Sequence, residues 1–292
     1  MTPLSQWKID AARLAAVADF DQIAGTMDLP YFLIGATARD IIYNAMRVPS
    51  PRMTQDIDLA VSISDWDTYD KLSSSMLASG KFGKNKTPRH RHFHLTTNIP
   101  IDILPFGSID GGDFTIHWPD PDHTSMSTLG FEEAFKSAIE TQISINPNVT
   151  IKVSSAPGLA IMKLIAWSDN STGRARHALD LLHLIRNYLD PVNELRLYDE
   201  HSDLMEIDDF DFECAGARLM GRDIASLASP QVLTRINDIL TGETQDECDF
   251  KLLIDMAGHP VESEYRHDEI LKLLRSLRDG VRDARKSRSE KS

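Results

Sequence analysis

The run Thr54-Gln-Asp-Ile-Asp-Leu-Ala puts two carboxylates, Asp56 and Asp58, into a stretch that otherwise reads as a buried β-strand. Successive side chains of a strand point to opposite faces, so Asp56 and Asp58 share one face while Ile57, Leu59 and Val61 take the other. Two acids at that spacing, roughly 6–7 Å apart at Cβ, push each other towards protonation unless a cation lies between them. The segment therefore demands a sheet with an acidic spot, and the spot demands a positive partner. Asp102, in the run Ile-Pro-Ile-Asp-Ile-Leu-Pro-Phe, has the same character: Ile101 and Ile103 face the core and the acid faces away. If the two strands are neighbours, three carboxylates converge. Oxygen-only ligands suit Mg²⁺, which keeps several waters and bridges the phosphates of a substrate. A phosphoryl-transfer site is the expectation, with Mg²⁺ as the ion and Mn²⁺ as its substitute.

Upstream lies a place where phosphate can be approached. A short apolar strand, Pro30 to Ile34, ends at Gly35, and Ala36 onward has helical spacing, so Gly35 sits at a strand-to-helix turn. Around this unit the spacing predicts a helix over 9–25 stopped by Gly25, and a helix after Ser64, its expected N-cap, ending at Gly80. Arg91 to Thr97 and Ile99 to Phe106 read as strands joined near Asn98, and Phe114 to Trp118 adds another. Beyond residue 154 five segments read as helices and no strand is apparent. The expected organisation is an α/β mixed-sheet domain over 1–155 and an all-helical domain with a basic tail over 156–292.

Charge and cysteine narrow the function further. Against 31 basic residues stand 44 acidic ones, a formal charge of −13, which argues against a protein that coats nucleic acid with its whole surface. The last stretch is locally positive, with Lys272, Arg275, Arg278, Arg282, Arg285, Lys286, Arg288 and Lys291. It reads first as a solvated helix end whose cations meet the negative pole of the helix dipole, and second as a contact for RNA or an acidic partner. Cys214 and Cys248 have no metal-ligand spacing and make no disulfide framework. No charged-then-apolar leader and no long apolar run is present, so a cytoplasmic protein without a membrane anchor is expected. His90, His92 and His94 alternate along a strand and read as an exposed polar face, then as a phosphate or acceptor contact, and only last as zinc ligands. Trp118 reads as a packing anchor.

In their order along the chain, Leu-Ile-Gly-Ala-Thr-Ala-Arg-Asp (33–40), the Asp56/Asp58 strand, the Asp102 strand, the segments around Lys163 and Asp180, and Gly216 to Asp223 resemble the nucleotidyltransferase superfamily. Within it the sequence is most similar to the AbiEii/AbiGii-type toxin nucleotidyltransferases and their predicted relatives. The resemblance implies a polymerase-beta-like mixed sheet followed by helices. It implies that Asp56 and Asp58 coordinate two metal ions, and that Asp102 completes the site and activates the attacking hydroxyl. It also implies that Gly35, Ala36 and Thr37 hold an NTP's triphosphate from the backbone, that Arg39 belongs to the nucleotide site, and that Lys163 reaches the phosphates with Asp180 nearby. Ala36 departs from the Gly or Ser that such proteins usually carry, with Thr37 the available hydroxyl, and His177 stands where toxin-type relatives often have an acid. The implied reaction moves a nucleoside monophosphate from an NTP to a hydroxyl of a tRNA 3′ end or a protein, beside a cognate antitoxin or in phage defence. Transfer to a small cationic molecule, and nucleotide binding without catalysis, remain as alternatives.

Overall fold

The structure is a computed structural model that describes residues 9–46, 56–85, 88–119, 124–146, 148–169, 173–207, 210–258 and 264–289. The chain divides into two compact units, Met1–Ser155 and Ala156–Ser292. Among the described residues no helix is long and apolar enough to cross a membrane.

The first unit runs α1 (Ala11–Thr26), β1 (Tyr31–Ile34), α2 (Gly35–Met46), β2 (Ile57–Ser62), α3 (Trp66–Ala78), β3 (Phe82–Lys84), β4 (Arg91–His94) and β5 (Ile99–Phe106). It continues with β6 (Thr115–His117), β7 (Ser125–Ser127), α4 (Phe131–Lys136), β8 (Ile139–Ser144) and β9 (Val149–Val153). Seven strands form one mixed sheet in the order β3-β4-β5-β2-β1-β9-β8, and β6 and β7 pair separately. The β2–β5 and β1–β9 pairs are parallel and the others antiparallel. Burial fixes the central register. Ile57, Leu59 and Val61 of β2 and Ile101 and Ile103 of β5 lie in the core, and a slip of one residue would turn all of them to the other face. Phe32, Phe106 and Phe135 add an aromatic cluster with ring centroids 5.5–5.7 Å apart.

Two helix ends differ from the sequence expectation. Gly25 lies inside α1, which continues to Thr26. The N-cap of α3 is Asp65, whose carboxylate accepts from the Thr68 N–H at 2.7 Å, while the expected cap, Ser64, donates to Asp65. A carboxylate complements the positive helix start better than a hydroxyl does.

The second unit is helical throughout its described residues: α5 (Ala156–Asp169), α6 (Arg174–Arg186), α7 (Pro191–Asp199), α8 (Phe212–Leu227), α9 (Pro230–Gly242), α10 (Lys251–Ala257) and α11 (Glu264–Ser289). Its centre is the α8–α11 crossing, where Gly221 and Gly280 let the two backbones approach. A Cβ on Gly221 would stand 2.2 Å from the Leu277 carbonyl oxygen, and one on Gly280 would stand 2.0 Å from that of Arg218. The basic C-terminal stretch is correspondingly not a solvated helix end as far as Asp283. Leu273, Leu274, Leu277 and Val281 are buried. Arg275 bonds Asp246, Arg278 bonds Thr244 and Asp279, and Arg282 bonds Thr241. The apolar stripe of this helix outweighs its charges. The side chains of Arg285, Lys286, Arg288 and Lys291 lie outside those described.

Candidate active site

Three central strands assemble the site. Parallel pairing of β2 and β5 sets Asp58 directly beside Asp102, with the flanking pairs Ile57–Ile101 and Leu59–Ile103 held in the core. Asp56 stands one residue before β2 on the same face as Asp58. One oxygen from each of Asp56, Asp58 and Asp102 lies within 4.8 Å of the other two. Their setting is graded, since the Asp56 side chain is 38% exposed and that of Asp102 only 10%.

Antiparallel pairing of β1 with β2 sets Ile34 opposite Asp58, so the turn into α2 begins beside the carboxylates. Gly35 takes φ +66°, and a Cβ there would fall 1.8 Å from Asp58 Oδ2. Only glycine allows both the left-handed backbone and this approach. Ala36 follows, partly exposed, at the N-terminal end of α2. Thr37 departs from expectation. Its hydroxyl is not available as a substitute phosphate contact, because the side chain is buried and Oγ1 donates to the Asp56 carbonyl at 3.0 Å. That bond ties the helix to the acidic strand. Arg39 departs further: it is wholly buried, its Nε and Nη2 donate to Asp40 Oδ1 at 3.2 and 2.8 Å, and it lies over the Tyr43 ring. An enclosed guanidinium of this kind anchors α2 and does not face a phosphate in this structure.

The residue that sequence reasoning missed is Arg91. It sits opposite Asp102 across the β4–β5 hairpin, and its Nε and Nη2 donate to Asp102 Oδ1 and Oδ2 at 2.8 and 2.6 Å. Its Nη2 also lies 3.6 Å from Asp56 Oδ2. The hydrogen bonding to Asp102, opposed by partial desolvation and reinforced by the charges of Asp102, Asp56 and Asp58, raises the Arg91 pKa above its ordinary value. A signal did exist. In a symmetric hairpin whose turn ends at Asn98, which has φ +56°, counting back equally along both strands pairs residue 91 with residue 102.

Two residues of the histidine run are buried, contrary to the exposed face expected of it, while His90 is half-buried. His92 and His94 are essentially inaccessible. His92 Nε2 meets Ser73 Oγ at 2.9 Å, Lys84 Nζ donates to the same Ser73 oxygen, and His92 Nδ1 faces the His90 carbonyl. Burial, with the nearby Lys84 charge, pushes the His92 pKa down to about 4. His94 spans Thr97 and Asp19 at 2.7 and 3.0 Å. His90 packs on the ring of Trp118, which is buried against Trp66 and Tyr69 as a packing anchor.

In the second unit, α5 and α6 bring Lys163 and Asp180 together. Lys163 Nζ donates to Asp180 Oδ2 at 2.7 Å, and both side chains are largely buried. On the same helices Trp167 Nε1 and Arg174 Nε both reach Asp255, at 2.9 and 2.8 Å.

The acidic trio fits a hard divalent cation. Its donors are carboxylate oxygens alone, and they converge within one ion's reach. Such a site can hold phosphates through the ion and through the N–H groups at the start of α2. No curated protein matches the chain in sequence. Among solved structures, an antigenic nucleotidyltransferase-like protein from Paracoccidioides brasiliensis is similar at 15% identity and TM-score 0.37, over 67% of this chain and 90% of that one. The ANT(2″)-Ia structure in complex with adenylyl-2″-tobramycin is similar at 13% identity and TM-score 0.37, over 66% and 99%. The Thermotoga maritima CCA-adding enzyme complexed with tRNA is similar at 10% identity and TM-score 0.27, over 95% and 82%. None of these likenesses carries an argument about substrate. The sequence profile described as nucleotidyl transferase AbiEii toxin, type IV TA system, matches residues 24–247. A match over most of the chain, on a fold with this acidic trio, makes the protein a nucleotidyltransferase of the AbiEii family.

Proposed function

We propose that the protein transfers a nucleoside monophosphate from an NTP to a hydroxyl acceptor in a Mg²⁺-dependent reaction that releases pyrophosphate. The observation that carries this reading is the convergence of Asp56, Asp58 and Asp102 beside the Gly35 turn. In this reading residues 1–155 form the catalytic domain and 156–292 a helical domain. Asp56, Asp58 and Asp102 hold the divalent ions, Mg²⁺ or Mn²⁺. The ions, when bound, supply charge that stabilises the attacking and leaving oxygens of an in-line displacement.

The chain's own groups do the rest. The backbone N–H groups at Gly35 and Ala36 receive the triphosphate at the positive end of α2. Asp102 accepts the proton of the attacking hydroxyl on a carboxylate oxygen. Thr37 holds α2 against the acidic strand through the Asp56 carbonyl, and Arg39 steadies the same helix from within. Within the second unit Lys163 and Asp180 form a largely buried ion pair that ties α5 to α6.

The family description, a type IV toxin, supports a toxin–antitoxin setting with a cognate antitoxin, and for the acceptor our choice is a tRNA 3′ end or a protein hydroxyl. The net charge of −13 supports a second reading, transfer to a small cationic acceptor. One experiment separates them. The protein is incubated with each α-labelled NTP, Mg²⁺ or Mn²⁺, total RNA and protein extract, and the products are resolved on a single gel. Label in RNA or protein supports the first reading and label in low-mass product the second. No label in any fraction, or equal labelling by the Asp56→Ala/Asp58→Ala variant, rejects both.

A further inference from the structure

The reaction as proposed makes no use of Arg91, yet this side chain sits at the centre of the site. One guanidinium nitrogen, Nη2, is 2.6 Å from Asp102 Oδ2 and 3.6 Å from Asp56 Oδ2, between two carboxylates that a shared cation would join. Nε completes a two-pronged grip on Asp102 at 2.8 Å. Three converging carboxylates repel one another without a counter-charge, and Arg91 provides one. A divalent ion on Asp102 and Asp56 would lie within a few ångströms of Nη2, where like charges repel strongly because the site is partly screened from water. The two cations compete for the same oxygens. Arg91 can yield, because its side chain is 34% exposed.

We propose that Arg91 is a positioning residue, the internal counter-ion of the acidic trio, and that divalent-ion loading is an exchange in which its guanidinium leaves Asp102. This inference rests on the metal-dependent reading above. Arg91 keeps Asp102 aimed at its neighbours in the ion-free protein, so the site is assembled before the ion arrives. It also holds ion affinity below that of three unopposed carboxylates, so tight loading awaits the phosphates of the nucleotide.

The test uses the full chain without nucleotide. Mn²⁺ binding is measured by calorimetry on the wild type, Arg91→Gln, Arg91→Lys and Asp58→Asn, and arginine Nε–Hε resonances are followed during Mg²⁺ addition. The expected results are a Kd for Mn²⁺ that falls about two- to fivefold in Arg91→Gln, the size of effect a partly exposed ion pair can exert, and an intermediate Kd in Arg91→Lys. The Nε–Hε signal missing from the Arg91→Lys spectrum should shift in the wild type in step with ion binding. A stationary signal while the ion binds overturns the exchange alone, as does unchanged affinity in a folded Arg91→Gln protein. If Arg91→Gln does not fold, the wild-type spectra and Arg91→Lys decide. Failure of the wild type to bind Mn²⁺, or equal binding by Asp58→Asn, overturns the metal-dependent reading together with the exchange.

Discussion

Gly35 is the position where backbone geometry and chemistry are least separable. A methyl group there would meet Asp58 Oδ2 at 1.8 Å, and the left-handed φ adds strain of about 1–3 kcal/mol. Gly35→Ala is therefore expected to lose nucleotidyl transfer almost completely and to lower stability by roughly that amount, which labelling and denaturant titration together will show. His92 gives a pH signature. Its folded pKa, about 4, lies below the ordinary 6.5, so the unfolded chain binds more protons between those values. The stability that neutral, buried His92 contributes is fully present above about pH 6.5 and is lost as pH falls towards about 4, by at most ~3 kcal/mol. His92→Gln should flatten the melting temperature across this window, and an unchanged slope would refute the assignment. Asp56, Asp58 and Asp102 were legible because strand alternation exposes an acid among apolar neighbours. Arg91 and the hydroxyl of Thr37 were not, because their partners are fixed by cross-strand register and by the packing of α2, which local periodicity does not encode. The histidines misled for a related reason, since alternation shows which residues share a face but not whether a helix covers it.

At the scale of elements, the α8–α11 crossing depends on two glycines rather than on side-chain interlocking. Gly221→Ala would drive a methyl group to 2.2 Å from a carbonyl of the facing helix. The helices must then separate, and a loss of about 1–3 kcal/mol or more is expected, read as a lower denaturation midpoint with the slope unchanged. Divalent-ion affinity should stay at the wild-type value in the same variant. The long helices of the second unit were readable because each repeats apolar residues on one stripe for about three turns, as Ile270, Leu273, Leu277 and Val281 do in α11. Short elements were lost. β3 has three residues and α10 has seven, too few periods to stand out from chance. β8 hides for another reason, because Glu140 and Gln142 interrupt it at the edge of the sheet. Edge strands tolerate polar residues that a central strand would reject.

For the molecule as a whole, the two compact units invite separation. Each encloses its own apolar residues, and the Arg218–Asp283–Arg222–Asp203 charge network lies entirely within the second. Residues 156–292 expressed alone should give a helical circular dichroism spectrum and a cooperative melt, whereas a broad, non-cooperative transition would show that this unit needs the rest of the chain. The change from a two-residue to a 3.6-residue repeat of apolar positions was visible in the sequence because sheets and helices impose different periods on the same hydrophobic demand. Base and acceptor choice left no such trace, since they depend on cavity shape rather than on any repeat. The packing of His90 on Trp118, 5.4 Å between ring centroids, has an optical consequence. His90 adjoins Arg91 in the chain, and an imidazole packed at a tilt against an indole quenches its emission when protonated. Any displacement of Arg91 that pulls on this neighbour should brighten or shift the fluorescence of Trp118, so the protein carries a native dye whose packing partner adjoins Arg91 in the chain.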